Sequence, residues 1–406
     1  MSVPRSATLP AATRRWFDRL EPLRESALLL VGLKLALGLL ALYAIGAGGV
    51  PGPCHYELAW DGWKTFPPLD AHGANFQLVG VWQRWDACWY GKIATWGYEA
   101  GENSVSFFPA FPILVFLATP FVGGSVAAAG EIVAAIAYLV AGVVLLHLVA
   151  EDFGRGIARR TLLYVSVFPA AFFLFAPFTE SLFLAASAGA LLAARRRRWW
   201  IAGATAVVAT LTRTQGVLLA LPLAWEALRF VRFELPPGAR ARLSSLGPAA
   251  VAIVVPAIAF GLWLLVAQAL SGVSPIESQD LWGGRNFHAP WDVAAASWQW
   301  FVDHDDWLQL FNLVALFGSI ALVVAGSRLL PLSYTLLALP QLLLPAVRIQ
   351  PTPLTSTNRY VLVVFPVFVL LAIVGRNRRF DRLWVAASSI GLGVLALEFV
   401  RGNFIA

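Results

Sequence analysis

Apolar positions in this chain fall in long unbroken runs, with little of the alternation expected of half-buried strands. Runs at 28–47, 126–149, 247–270, 307–326, 329–346, 358–374 and 383–400 approach or exceed the ~20 residues that a helix needs to cross a bilayer. Shorter or proline-interrupted apolar segments lie at 107–123, 161–177, 179–194 and 199–228, the last with a polar break in its middle. The pattern predicts an all-α, polytopic transmembrane protein with about ten or eleven membrane segments. Composition agrees: 59% of residues are hydrophobic, 13% are charged and mean hydropathy is +0.70, far too apolar for a soluble globular chain.

The organisation follows from where the polar stretches fall. A basic N-terminal arm, 1–27, precedes a single integral-membrane domain, 28–406, interrupted by long loops at 48–106 and 271–306. The first apolar run is a full span behind a polar arm, so no cleavable signal peptide is expected. Arginine makes up all but three of the 30 basic Lys and Arg side chains, which together with abundant Ala and Gly suggests a GC-rich bacterial source and a bacterial cytoplasmic membrane.

A net charge of +7 raises nucleic acid as a partner, but the cations sit in short loops and form no basic face on a soluble domain. The positive-inside rule accounts for them better. Arg14, Arg15, Arg19 and Arg24 precede the first span; Arg195 to Arg198 form a run; Arg229, Arg232, Arg240 and Arg242 form a third group, and Arg376, Arg378, Arg379 and Arg382 a fourth. All four groups are expected in the cytoplasm. The two long loops, carrying Glu57, Asp61, Asp70, Asp86, Glu99 and Glu102 in one and Glu277, Asp280, Asp292, Asp303, Asp305 and Asp306 in the other, are then extracytoplasmic. One parity conflict remains. Two apolar segments separate the first loop from Arg155, Arg159 and Arg160, so either 107–123 only dips into the membrane or the 151–160 loop breaks the rule.

Cys54 and Cys88 share the first outer loop, and a disulfide and two free thiols are both open. His55, His72, His147, His288 and His304 are scattered without ligand spacing, so no metal site is expected.

The stretch "RWDACWYGKIATWGY", residues 84–98, sets an acid among aromatics. Wound as one helix at about 100° per residue, Trp82, Trp85, Trp89, Ile93 and Trp96 fall within a strip about 80° wide. This predicts an amphipathic helix lying in the membrane interface, with Asp86 at the water–lipid boundary. Either Asp86 does chemistry there, or it pairs with Arg84 or Lys92 in an ordinary aromatic belt.

The longer unit "RWDACWYGKIATWGYEAGENSVSFFPAFP" resembles the loop motif of the PIG-V family, mannosyltransferases of the GT-C superfamily that use a lipid-phosphate-linked sugar. Residues 168–222, with "FPAAFFLFAPFTESLF" and "LTRTQG", are similar to that family's central block, and "NRYVLVVFPVFVLLA", 358–372, to its C-terminal span. The three blocks cover roughly a third of the chain. Two departures stand out: Trp89 occupies the place of a histidine three residues after the motif acid, and Gln215 that of a shorter amide.

The resemblance implies a GT-C type fold with a helical extracytoplasmic first loop. It also implies a hexosyltransferase moving mannose, or a related sugar, from a polyprenyl-phosphate carrier to a lipid-linked or envelope glycan acceptor. Asp86 is the expected base, accepting the acceptor hydroxyl's proton in a single inverting displacement. The leaving group is a phosphate monoester, so neither metal nor cofactor is called for.

Arginine matches phosphate oxygens bidentately, and a cation inside a membrane segment is costly. Arg213 and Arg359 are therefore the expected phosphate ligands, with Arg348 a third; snorkelling to headgroups is the alternative. Glu180 is read either as orienting sugar hydroxyls or as part of an N-terminal capping box. Glu102, Trp89, Tyr90 and Gln215 complete the expected sugar and acceptor contacts. Two other functional classes compete. A transporter or flippase of lipid-linked sugars should show internal repeats with matching midplane polar residues, and no repeat is visible. A non-catalytic assembly partner would not need an acid at the lipid boundary.

Overall fold

The computed structural model describes residues 11–52, 54, 73–101, 103–234, 247–278, 287–349 and 352–405. Glu57, Asp61, Asp70, Glu102, Asp280, His55, His72, Arg240 and Arg242 lie outside the described residues, as do the side chains of Arg14, Arg15 and Arg19. Among the described residues all regular secondary structure is helical, apart from one isolated β-bridge between Phe287 and Arg348.

Helix α1 (Ala11–Ala47) runs unbroken from the N-terminal arm through the first apolar run. The first loop then contributes α2 (Gly73–Leu78) and α3 (Asp86–Trp96), and α4 (Ala110–Ala118) follows it. The chain continues through α5 (Val126–Phe153), α6 (Arg155–Val167), α7 (Glu180–Arg195), α8 (Trp199–Thr210), α9 (Ala220–Arg229) and α10 (Gly247–Ser271). The second loop holds α11 (Pro275–Ser278) and α12 (Pro290–His304). The remaining helices are α13 (Trp307–Gly326), α14 (Leu332–Ala346), α15 (Thr357–Leu362), α16 (Phe365–Val374) and α17 (Arg378–Val400). Five of these stretches, Leu20–Ala47, Val126–Phe153, Gly247–Ser271, Trp307–Leu329 and Arg378–Val400, are long and apolar enough to cross a membrane. The chain is a multi-pass membrane protein.

Local chemistry sets the helix ends. Ser125 accepts from the Ala128 amide to cap α5, Asp306 from Leu308 and Gln309 to cap α13, and Asn377 from Arg379 and Phe380 to cap α17. Gly154, at φ 81, separates α5 from α6 in a conformation that a side chain would strain. Alanine-rich faces let α5 and α7 approach closely, with Ala134, Ala141, Ala186 and Ala190 all buried. Apolar side chains such as Ile136, Leu262 and Leu265 point outward, as lipid-facing positions require.

The two ends of the bundle differ in chemistry. At one end, Glu21 and Glu25 of α1 hold Arg155 and Arg159, Asp381 holds Arg160, and Arg195 joins Asp152 to Glu226. At the other, α1 exits beside the end of α17, and the starts of α3, α7 and α15 converge. Besides the five long stretches, Ala110–Val122, Trp199–Thr210, Leu332–Ala346 and Phe365–Val374 are shorter apolar helices.

This resolves the parity conflict. Arg155, Arg159 and Arg160 lie at the same end as Arg195, so one pass, α5, separates them from Asp86. The 107–123 segment forms α4 and a short 3-10 turn, Ala110–Val122, and both its ends stay at the Asp86 end of the bundle: the Ala110 amide donates to the Leu211 carbonyl beside Arg213, and Val126, at the start of α5, packs beside Gly91 of α3. Within the spans, Lys34 of α1 pairs with Glu131 of α5, fastening the first helix to the bundle.

Candidate functional site

The expected interfacial helix over Trp82–Trp96 is not continuous. Trp82 ends a 3-10 turn, the backbone breaks at residues 83–85, and α3 begins at Asp86. Nor does α3 lie on the surface: Trp89, Tyr90 and Ile93 are buried, with Trp89 stacked on Phe107 at 5.3 Å and Tyr90 edge-on to Phe111 at 5.3 Å. Trp82, Trp89 and Ile93 of the aromatic face are covered by the protein itself, whereas Trp96 stays exposed.

The break is what aims Asp86. Trp85 sits at φ 51, a conformation rare for a bulky residue, which surrounding contacts must hold. Its indole donates to the Asn403 carbonyl at 3.2 Å and packs on Phe404. Arg84 is fully buried and donates to the Gly52, Pro51 and Val400 carbonyls at 2.5, 2.7 and 3.1 Å, clamping the motif between the ends of α1 and α17. A Cys54–Cys88 disulfide, Cα atoms 5.7 Å apart, ties α3 to the same exit and removes the free-thiol alternative.

Asp86 pairs with neither Arg84 nor Lys92. Its Oδ2 accepts from Arg359 Nη1 at 2.5 Å, while Lys92 lies 3.7 Å from Glu99. Arg359, only 4% exposed, also donates through Nε to Glu180 Oε1 at 2.6 Å. The same Glu180 oxygen accepts from Arg213 Nη1 at 2.7 Å. One buried carboxylate thus holds two guanidinium groups, and one of those groups holds Asp86.

Each arginine has a local reason for its place. Arg213 is in extended backbone, φ −153, where α8 stops and a 3-10 stretch, Thr214–Leu219, begins. A Cβ at Gly216 would overlap the Thr210 backbone nitrogen and the Ala209 carbonyl carbon, so only glycine lets the chain fold back this tightly. Arg359 lies on α15, a short helix before α16, following Leu354 and Ser356 at positive φ; it does not begin a long span. The Phe173 and Phe178 rings flank its guanidinium, both 4.8 Å away, and the Tyr360 ring lies 5.0 Å from that of Arg213.

Glu180, expected to orient sugar hydroxyls, has no exposed surface, and no capping hydrogen bond forms at Thr179. It lies behind the site and fixes the arginines, because a buried and a half-buried cation without a counter-charge would be strongly unfavourable.

In front of the arginines opens a cavity of about 710 Å³. Asp86, Arg213, Arg348 and Arg359 reach it, as do Trp89, Tyr90 and Gln215. Its other walls are largely aromatic and aliphatic, including Phe108, Phe260 and Phe404. Burial raises the pKa of the Tyr90 phenol well above its ordinary range, with the Asp86 charge adding to the effect, so Tyr90 remains a proton donor. Arg348 is half-buried, on the strand-like segment whose Val347 carbonyl accepts from the His288 amide at 2.8 Å.

The sequence pattern gave no warning of two further polar groups. The hydroxyls of Thr179 and Thr357 line the cavity, buried and without a hydrogen-bond partner, as are both amide atoms of Gln215. Each stands within two residues of Glu180, Arg213 or Arg359. Their proximity to those charged positions was the available signal.

No protein-family profile and no curated protein matches the chain. Among solved structures it is similar to the crystal structure of ArnT from Cupriavidus metallidurans bound to undecaprenyl phosphate, at 16% identity and a TM-score of 0.48. The similarity covers 75% of this chain and 57% of that one, so the chain spans well under two thirds of that neighbour's length.

Proposed function

We propose that the chain is a GT-C type membrane glycosyltransferase that moves a hexose, with mannose the favoured sugar, from a polyprenyl-phosphate carrier to a hydroxylated glycan or glycolipid acceptor. The observation that carries this reading is the meeting of Asp86, Arg359 and Arg213 at one wall of a cavity whose remaining lining is mainly apolar. A lipid phosphate needs cations beside a greasy surface, and this cavity supplies both.

The roles follow from the geometry. Arg359 and Arg213 bind the donor phosphate, with Arg348 contributing from the same cavity's lining, because guanidinium forks match phosphate oxygens. Asp86, 28% exposed and facing the cavity, takes the acceptor hydroxyl's proton as that oxygen attacks the anomeric carbon and inverts it. Glu180 holds the arginines in place. The buried, unpartnered amide of Gln215 and the hydroxyls of Thr179 and Thr357 suit a ligand rich in hydroxyl groups, since a buried polar atom without a partner is costly until one arrives. Trp89 and Tyr90 shape the same wall.

The basic end of the bundle belongs in the cytoplasm by the positive-inside rule, which turns the cavity to the extracytoplasmic face. The Cys54–Cys88 bond beside the cavity suits an oxidising compartment. Purified protein should transfer mannose from polyprenyl phosphate mannose to a glycan acceptor with EDTA present. Strict dependence on a nucleotide sugar or a divalent metal, or movement of lipid-linked sugar across vesicles without transfer, would reject the reading.

A further inference from the structure

Arg359 has two carboxylate partners of different character. Glu180 is fully buried and bound to Arg213 as well, so it cannot leave. Asp86 is 28% exposed, opens on the cavity, and holds Arg359 through Nη1 alone. The arginine therefore has one permanent partner and one replaceable one.

The four charges balance as they stand, Asp86 and Glu180 against Arg213 and Arg359. An entering lipid-phosphate anion upsets that balance and competes for the Nη1 position that Asp86 occupies. While Asp86 holds Arg359, its Oδ2 is taken up by the guanidinium and is not turned toward an acceptor hydroxyl. We propose, resting on the glycosyltransferase reading above, that the donor phosphate displaces Asp86 from Arg359, so that the base is released only when donor is bound and the enzyme binds donor before acceptor.

The reaction's charges fit this exchange. The bond between the anomeric carbon and the phosphate oxygen breaks, and its electron pair stays with the phosphate, which gains one negative charge. The acceptor oxygen forms the new bond to the anomeric carbon, and its proton passes to Asp86, which loses one negative charge. Arg359 moves from the carboxylate that is to be neutralised to the phosphate that becomes more negative. After product leaves, Asp86 gives its proton to solvent and returns to Arg359, which closes the cycle and masks the base. A carboxylate left free in a donor-empty cavity would have no such restraint.

The test is the binding of undecaprenyl monophosphate to the purified protein in nanodiscs. Competition predicts that Asp86→Asn, although inactive, binds this anion more tightly than wild type, by roughly tenfold, within the coupling range of contacting charged pairs. The gain should persist in an Arg213→Gln background and vanish in Arg359→Gln, because Asp86 contacts Arg359. A gain that survives in Arg359→Gln would mean a general field effect and would overturn the exchange, as would no gain at all. If Arg359→Gln does not fold, infrared difference spectra decide. The carboxylate band lost in Asp86→Asn should shift in wild type when undecaprenyl monophosphate is added, and an unmoved band rejects the exchange. Failure of wild type to bind undecaprenyl monophosphate would reject the exchange and the glycosyltransferase reading together, whereas normal binding without an Asp86 effect rejects the exchange alone.

Discussion

Asp86 and Arg359 stand 273 positions apart in sequence and 2.5 Å apart in space, joining the first long loop to the C-terminal third of the chain. The contact divides the readings of the acid. An acid paired with a neighbouring surface cation contributes little, roughly 0–1 kcal/mol. An acid held by a buried arginine at a cavity wall is placed for chemistry. Asp86→Asn should therefore lower kcat on the order of 10²- to 10⁴-fold, the usual share of a general base, while leaving the melting temperature close to wild type. Purified Asp86→Asn with near-normal kcat would end its catalytic assignment.

Gly216 tests whether the Arg213 break is a built feature. Its missing Cβ is where the backbone of Ala209 and Thr210 passes, and backbone cannot swing aside as a flexible side chain can. Gly216→Ala should destabilise the protein by about 1–3 kcal/mol, the cost of overpacking, and raise the KM for donor as Arg213 shifts. Thermal unfolding and donor titration of the same preparation measure both. Wild-type behaviour in both would show that the close approach at Gly216 does not place Arg213.

Orientation can be read with single cysteine probes. Cys54 and Cys88 are the only cysteines in the sequence and are bonded to each other, so they are silent toward maleimides without being removed. Asn75→Cys, on the exposed side of α2, should react with an impermeant maleimide added to intact cells, and Arg198→Cys, exposed in the basic loop, should react only after lysis. The reverse labelling would put Asp86 in the cytoplasm and remove the outer-face mechanism.

What the sequence made legible depended on the range of the interactions involved. Apolar runs mark spans because a bilayer demands helix from each segment separately, and the charge groups mark ends because they act loop by loop. Asp86, Arg213 and Arg359 were identifiable individually as polar residues in costly surroundings. Their assembly was not legible, because Glu180, the residue that joins the two arginines, looks locally like any acid at a helix start. The Trp82–Trp96 stripe misled for a related reason: its spacing is helical, but Arg84 bonds to three carbonyls from distant helix ends and breaks the helix that the spacing suggests. Thr179 and Thr357 carry no pattern of their own. Their burial against the cavity comes from tertiary packing alone.

Glu180 offers the sharpest separation between holding the site and touching the substrate. Its carboxylate is fully buried and serves both Arg213 and Arg359, so Glu180→Gln leaves two guanidinium groups facing each other without their shared counter-charge. Breaking a buried pair in this way costs about 3–5 kcal/mol, and the melting temperature should fall accordingly. A residue that contacted sugar would lose affinity and leave stability largely intact. The positioning role makes a second, opposite demand: undecaprenyl monophosphate supplies an anion where one is now missing, so it should raise the melting temperature of Glu180→Gln more than that of wild type. Glu180→Asp, which keeps the charge on a shorter stem, should recover stability before it recovers kcat, because one carboxylate set back by a methylene can neutralise two arginines but cannot hold both at their original spacing. Equal ligand stabilisation of Glu180→Gln and wild type, with no loss of melting temperature in the variant, would show that the arginines are placed by something other than this acid.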